Sequence, residues 1–271
     1  MAATAATEQI EPFFFGPPGR QLFGCYHEPQ VWPAREQGVV LCYPFGQEYI
    51  RSHRACHHLI AQIARAGFPA LRFDYYGTGD SQGEDADAHL AQWQSDLGLA
   101  VAELRARSGV DRVILAGLRL GASLALSASA RTADLAGLVL WEPVVNGQRY
   151  LDELRAQHEQ ALLRFFAQPK DHALGSRPGE LCGFALGEGQ LAALEGLDLR
   201  TAQAPRGKPV LLIESQTTPD LTALHEQLQS GALVTYEHVP SFTVWVEDVD
   251  KGLVPQPVIE AITGWLDKVF A

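Results

Sequence analysis

The residues with the most distinctive chemistry in this sequence form the pattern G-x-R-x-G over residues 117–121, with Arg119 at its centre. The pattern follows an apolar run at residues 113–116 and leads into a small-residue run at residues 120–130. This arrangement predicts a strand that turns sharply into a helix. A guanidinium is permanently protonated, with five N–H donors and no lone pair. Arg119 can therefore bind an anion, but it cannot attack a carbonyl carbon.

A negatively charged group is expected beside Arg119. The predicted helix begins at this point, and its free backbone N–H groups add positive potential. The internal candidate is the carboxylate of Glu48, in a bidentate pair with Arg119. The external candidate is a carboxylate, a phosphate or an acyl oxyanion of a ligand. A desolvated arginine without a fixed partner is costly, which favours the internal pair. Both alternatives stay open, because a ligand could displace or share that pair.

Composition favours one domain and excludes several kinds of partner. A chain of 271 residues that is 46% hydrophobic can bury one sizeable core, so we expect a single domain over residues 1–271. Its formal net charge of -11 repels nucleic-acid phosphates. The four cysteines form no C-x-x-C pair, and the helix of His53 and His57 supplies no carboxylate. We expect no nucleic acid, no metal and no cofactor.

The first residues predict the compartment. Residues 1–12 lack the basic stretch and apolar run of a secretory signal. No apolar segment approaches the ~20 residues that a membrane span needs. We therefore expect a cytoplasmic protein without a membrane span.

The elements that would position these residues alternate along the chain. Short runs at residues 13–15 and 22–27 predict an N-terminal hairpin. Continuous apolar runs, which predict strands, then alternate with helical patterns. The apolar runs lie at residues 38–43, 70–74, 113–116, 137–141, 209–214 and 232–239. The helical patterns lie at residues 52–66, 89–108, 120–130, 150–166, 220–229 and 257–270. This alternation predicts an α/β fold with a mostly parallel sheet that helices cover on both faces. The less regular segment at residues 146–203 predicts a lid or cap insertion.

Three segments resemble those of a known superfamily. Residues 117–121 resemble the nucleophile elbow G-x-S-x-G of the α/β hydrolases, with Arg119 in the position of the serine. Residues 43–48 follow an early strand, where that fold places its oxyanion loop, and residues 73–81 resemble the D-x-x-G-x-G-x-S loop of serine aminopeptidase-like members. Residues 46–54 together with the elbow resemble hydrolase-like proteins found with exosortase systems. The resemblance implies the α/β-hydrolase fold.

The resemblance also implies roles for particular residues. Glu48 would lie on the oxyanion loop. The acid of such a site follows a late strand, which indicates Asp220, and the histidine follows the last strand. Residues 241–249 contain no histidine, so the nearest candidate is His238. The residues expected around a substrate are Phe45, Gly46, Gln47, Leu120, Glu142 and Trp245.

These observations lead to three functional hypotheses. The first is a pseudoenzyme that binds a small acyl or carboxylate ligand, or a protein partner, in the former active-site cleft. The second is a hydrolase or acyltransferase with a rewired site, in which Arg119 stabilises an oxyanion and Glu48, Asp220 or His238 is the general base. The third, implied by the resemblance, is an accessory subunit of an envelope-polysaccharide or secondary-metabolite pathway.

Overall fold

The computed structural model describes residues 9–87, 89–165, 179–246 and 253–271. The strands in these residues are β1 (Ile10–Phe15), β2 (Leu22–His27), β3 (Gln37–Cys42), β4 (Ala70–Phe73), β5 (Arg112–Leu118), β6 (Leu135–Trp141), β7 (Glu180–Leu181), β8 (Phe184–Ala185), β9 (Pro209–Glu214) and β10 (Leu233–His238). The α-helices there are α1 (Gln47–Arg65), α2 (Leu90–Ser108), α3 (Leu120–Ser129), α4 (Gly147–Phe165), α5 (Glu188–Glu195), α6 (Pro219–Leu228) and α7 (Gln256–Val269). None of these helices has the length and apolar character that crossing a membrane requires.

The main sheet follows the order β1-β2-β4-β3-β5-β6-β9-β10. Strands β1, β2 and β4 pair antiparallel, whereas all the pairs from β4 to β10 are parallel. Every residue of β3 and β6 is buried, as expected for strands that helices cover on both faces. The predicted α/β-hydrolase architecture is confirmed.

Helix α1 begins at Gln47 and not at Ser52, where the sequence pattern places its start. Gly46 precedes it with a φ of 60°, a conformation that glycine adopts at little cost, so the chain turns directly from the loop after β3 into the helix. The expectation that Glu48 lies on a loop is therefore wrong. Glu48 is in the first turn of α1 and is completely buried.

The segment between β6 and β9 lies outside the main sheet, and residues near its two ends pair with each other. Asn146 pairs with Asp198 in an isolated bridge, and the N–H of Gly147 donates to the carbonyl of Leu197 at 2.8 Å. Between these points the described part of the segment contains α4, the hairpin β7–β8 and α5. Residues 166–178 of the predicted insertion lie outside the described residues.

Candidate functional site

Arg119 lies at the sharp turn between β5 and α3. Its φ of 52° and ψ of −122° are unusual for a residue with a side chain. The glycines on either side of Arg119 allow the turn to pack closely against neighbouring backbone. A Cβ atom at Gly121 would overlap the carbonyl oxygens of Cys42 and Tyr43, and one at Gly117 would overlap the backbone of α3. The strand-to-helix turn expected from the G-x-R-x-G pattern is present.

The guanidinium of Arg119 bonds to two carboxylates. Its Nε donates to Glu48 Oε1 at 2.9 Å, and its Nη2 donates to Glu153 Oε2 at 2.8 Å. The second oxygen of Glu48 accepts the hydroxyl of Tyr150 at 3.0 Å. An Arg119–Glu48 pair therefore forms, but the expectation that it is bidentate is wrong. Tyr150 occupies the other oxygen of Glu48, and Glu153 from α4 takes the second guanidinium nitrogen.

Aromatic rings enclose the guanidinium. The Cζ of Arg119 lies 5.3 Å from the ring centroid of Trp245 and 5.4 Å from that of Tyr150, within range of a cation–π attraction. The side chain of Arg119 is only 12% exposed to solvent. Burial alone would lower the pKa of Arg119, but the carboxylates of Glu48 and Glu153 outweigh burial and raise it. The guanidinium is therefore charged at all physiological pH values.

Burial acts in the opposite direction on Glu48. It raises the pKa of this carboxyl group above its ordinary value, although the charge of Arg119 and the hydroxyl of Tyr150 oppose that shift. A carboxylate in such a place is stable only while its cation is present, because an unpaired buried charge is costly.

A small cavity of about 100 Å³ lies beside Arg119. Its titratable lining residues are Arg119, Glu142, Arg149, Tyr150, Glu153 and Asp220. Ligand pockets are usually about 300–1,000 Å³, whereas one water occupies about 30 Å³. The cavity can therefore hold a few waters or the acidic group of a ligand, but not a whole substrate of ordinary size.

The residues expected to form an acid and a base are separated in the structure. Asp220 is in the first turn of α6, lines the cavity and pairs with Arg149 at 2.9 Å. His238 ends β10, with its Nδ1 3.4 Å from Glu214 Oε1, and its side chain is 47% exposed. It is not among the described residues that line the cavity beside Arg119. The structure thus brings Asp220 to the cavity but leaves His238 outside it.

The residues expected to bind substrate divide into three groups. Glu142 lines the cavity, and Trp245 packs against Arg119. Phe45 and Leu120 are buried, and Phe45 packs against the rings of Trp93 and Phe184. The others, Gly46 and Gln47, lie at the start of α1. Phe45 and Leu120 thus contribute to the core around the turn.

The described part of the chain contains no group of three or more His, Cys, Asp or Glu side chains that could hold a metal ion. His53 stacks against Tyr43 with ring centroids 6.0 Å apart, and burial lowers its pKa.

Glu142 provides a test of the electrostatics at the cavity. Burial raises its pKa, although hydrogen bonding from the N–H of Ser215 and the charge of Arg119 oppose this. A carboxyl group whose pKa is raised in the folded state stabilises the fold below its unfolded pKa of about 4.3. That contribution is lost as the pH rises through the folded-state pKa. Stability from this residue therefore decreases from acidic to neutral pH.

We expect Glu142→Gln to reduce this decrease, because Gln keeps an acceptor for Ser215 but does not ionise. Urea unfolding near pH 5 and near pH 7 measures the effect. Between these two values, the free energy of unfolding should fall more in the wild type than in Glu142→Gln. Equal falls in both proteins would contradict the assigned pKa direction.

Three site residues were not anticipated from the sequence, and all lie on α4. They are Arg149, Tyr150 and Glu153. Tyr150 and Glu153 are three residues apart, a spacing that places both on one face of a helix. A polar pair on one face of the inserted helix is the signal that could have indicated them.

The sheet order, the covering helices and the sharp turn after β5 define an α/β-hydrolase fold. A family described as serine aminopeptidase, S33, matches residues 39–176, and the chain belongs to it. No curated protein matches the sequence.

Solved structures share the fold at low sequence identity. A hypothetical protein from Pseudomonas aeruginosa is 16% identical, with a TM-score of 0.67 over 97% of this chain and 94% of that chain. The esterase Pf2001 of Pyrococcus furiosus is 12% identical, with a TM-score of 0.65 over 97% and 92%. Est1E from Butyrivibrio proteoclasticus, with ferulic acid bound, is 16% identical, with a TM-score of 0.66 over 94% and 98%.

Proposed function

We propose that this chain is a non-hydrolytic member of its family that binds the acidic group of a small acyl or carboxylate ligand at Arg119. The observation that carries the proposal is the guanidinium at the turn between β5 and α3, in the position where the resemblance places a nucleophilic serine. A guanidinium has no electron pair to donate to a carbonyl carbon, but its N–H groups bind carboxylates well.

The two carboxylates on Arg119 differ in how easily they can be replaced. Glu48 is completely buried and also bonded to Tyr150, so it is a permanent part of the site. Glu153 is 47% exposed and forms one contact with Arg119 Nη2. An exposed ion pair contributes little, about 0–1 kcal/mol, so a ligand carboxylate can take the place of Glu153 at small cost. Helix α4 then acts as a cap over the bound group, because it carries the displaced Glu153.

Among the described residues near Arg119, the candidate acids and the nearest serine are already bonded to other groups. Both oxygens of Glu48 are already hydrogen-bonded, and Asp220 is paired with Arg149. The serine that follows the turn most closely, Ser123, is buried, and its hydroxyl donates to the carbonyl of Val144 at 2.8 Å. These contacts favour ligand binding over a rewired hydrolase.

Calorimetric titration with acetate, octanoate and ferulate tests the binding proposal. Glu153→Gln should bind at least one of these carboxylates more tightly than the wild type, by up to about fivefold, because the internal contact that the ligand displaces contributes about 0–1 kcal/mol. Arg119→Ala should lose the binding. The matched control is Glu159→Gln on the exposed part of α4, which should leave affinity unchanged. Equal affinities in the wild type, Glu153→Gln and Arg119→Ala would refute the assignment.

A fluorophosphonate probe tests the absence of serine chemistry in the same samples. We expect no adduct on the wild type, under conditions in which an active serine esterase is fully labelled. A stoichiometric adduct on any serine would end the proposal. Ester or thioester turnover that falls in Arg119→Ala would instead establish a rewired hydrolase.

A further inference from the structure

A second and larger cavity, of about 700 Å³, lies at the opposite edge of the sheet from Arg119. Leu135 at the start of β6 and Lys208 just before β9 line it, whereas Arg119 follows the carboxyl end of β5. Because β5, β6 and β9 run parallel, these are opposite edges. The volume falls in the range of small-molecule sites. This cavity is separate from the one considered under the proposed function.

Two cations at this cavity have no anionic partner among the described residues. Arg206 and Lys208 both line it, and neither forms an ion pair with any described residue. Two such groups within one concave site attract an anion, most strongly a phosphate or a carboxylate.

Two buried polar atoms at the same cavity lack hydrogen-bond partners within the described part of the chain. Ser129 is only 5% exposed, and its Oγ bonds to no described residue. The Oε1 of Gln227 is buried and unpartnered as well, while its Nε2 donates to the carbonyl of Ala202. A buried polar group without a partner costs about 1–3 kcal/mol. Hydroxyl groups of a ligand can satisfy both atoms, since a hydroxyl both donates and accepts.

The loop that carries the cations is held in place by backbone contacts. The N–H of Gly207 donates to the carbonyl of Gly231 at 2.8 Å, and the N–H of Lys208 donates to the carbonyl of Pro205 at 3.1 Å. The bond from Gln227 to Ala202 ties the same loop to α6. A site fixed before binding loses less conformational entropy when a ligand enters.

We propose that this cavity binds an anionic small molecule that carries several hydroxyl groups, such as a sugar phosphate or a sugar acid. Arg206 and Lys208 hold the anionic group. Ser129, the Oε1 of Gln227 and the carboxylate of Asp134, which also lines the cavity, bind hydroxyl groups. Neither a neutral sugar nor a bare anion uses both sets of contacts.

Calorimetric titration with glucose 6-phosphate, glucuronate, glucose and inorganic phosphate tests this proposal. We expect one of the two anionic sugars to bind at least about tenfold more tightly than glucose or inorganic phosphate. The better anionic sugar identifies phosphate or carboxylate as the preferred group. Arg206→Ala/Lys208→Ala should weaken that binding at least about tenfold, and Ser129→Ala should weaken it by a smaller factor.

A control variant helps to locate the site. Lys268→Ala removes an exposed cation on α7 and should leave the affinity for the anionic sugar unchanged. The proposal is overturned if neither anionic sugar binds the wild type, or if glucose binds equally well. It is also overturned if the affinity survives in Arg206→Ala/Lys208→Ala or is lost in Lys268→Ala.

Discussion

Glu48→Ala should lower the free energy of unfolding by about 3–5 kcal/mol, the usual cost of breaking a buried ion pair from one side. The guanidinium of Arg119, which is only 12% exposed, would then bond to a single carboxylate, the exposed one of Glu153. It also removes the acceptor of the buried Tyr150 hydroxyl. Urea unfolding followed by tryptophan fluorescence measures the loss.

Two further variants distinguish a buried pair from a general loss of packing. Glu153→Gln removes the exposed carboxylate from the same guanidinium and should cost less than about 1 kcal/mol. Arg119→Met/Glu48→Leu removes both buried charges and should recover most of the stability lost in Glu48→Ala, because well-packed apolar groups can replace a buried pair at little cost. A double variant no more stable than Glu48→Ala would show that shape, and not charge, explains the loss.

Local patterns in the sequence were sufficient to predict the fold and the turn at Arg119. Strands buried on both faces must be apolar throughout, so their positions are visible as continuous runs, as in β3 and β6. The turn needs a glycine wherever a Cβ would meet backbone, which is why Gly121 marks it. Burial on both faces acts on every residue of a strand, so a single sequence shows it. The contact that requires Gly121 is with the distant Cys42 and Tyr43, but the spacing of the glycines around Arg119 shows the turn without it.

The remaining contacts of Arg119 depend on how distant segments pack. Glu153 and Tyr150 come from an insertion whose path over the sheet no local pattern specifies, and Trp245 comes from the segment after β10. The carboxylate of Glu48 could be named because a buried cation requires an anion, but its place in α1 depends on the conformation of Gly46. Charge balance therefore predicted that an ion pair forms, whereas the geometry of the pair required the structure.

Among glycine substitutions, we expect the largest loss of stability at Gly121. In Gly121→Ala the new Cβ would overlap the carbonyl oxygens of Cys42 and Tyr43. Both are main-chain atoms, so no rotamer change can relieve the overlap, and α3 must move away from the end of β3. We expect a loss of about 3 kcal/mol or more in the free energy of unfolding, at the upper end of the costs of overpacking. The same movement would carry Arg119 away from Glu48.

Gly98→Ala is the matched control, because it makes the same chemical change in a helix where nothing lies within 4 Å of the new Cβ. Gly98 is exposed within α2, and alanine at such a position is usually more stable than glycine by about 0.5–1 kcal/mol. The same substitution should therefore destabilise the protein at one glycine and stabilise it at the other. Urea unfolding of the two variants side by side measures both signs. If Gly121→Ala were as stable as the wild type, the close approach of α3 to β3 would not be the reason that position 121 requires glycine.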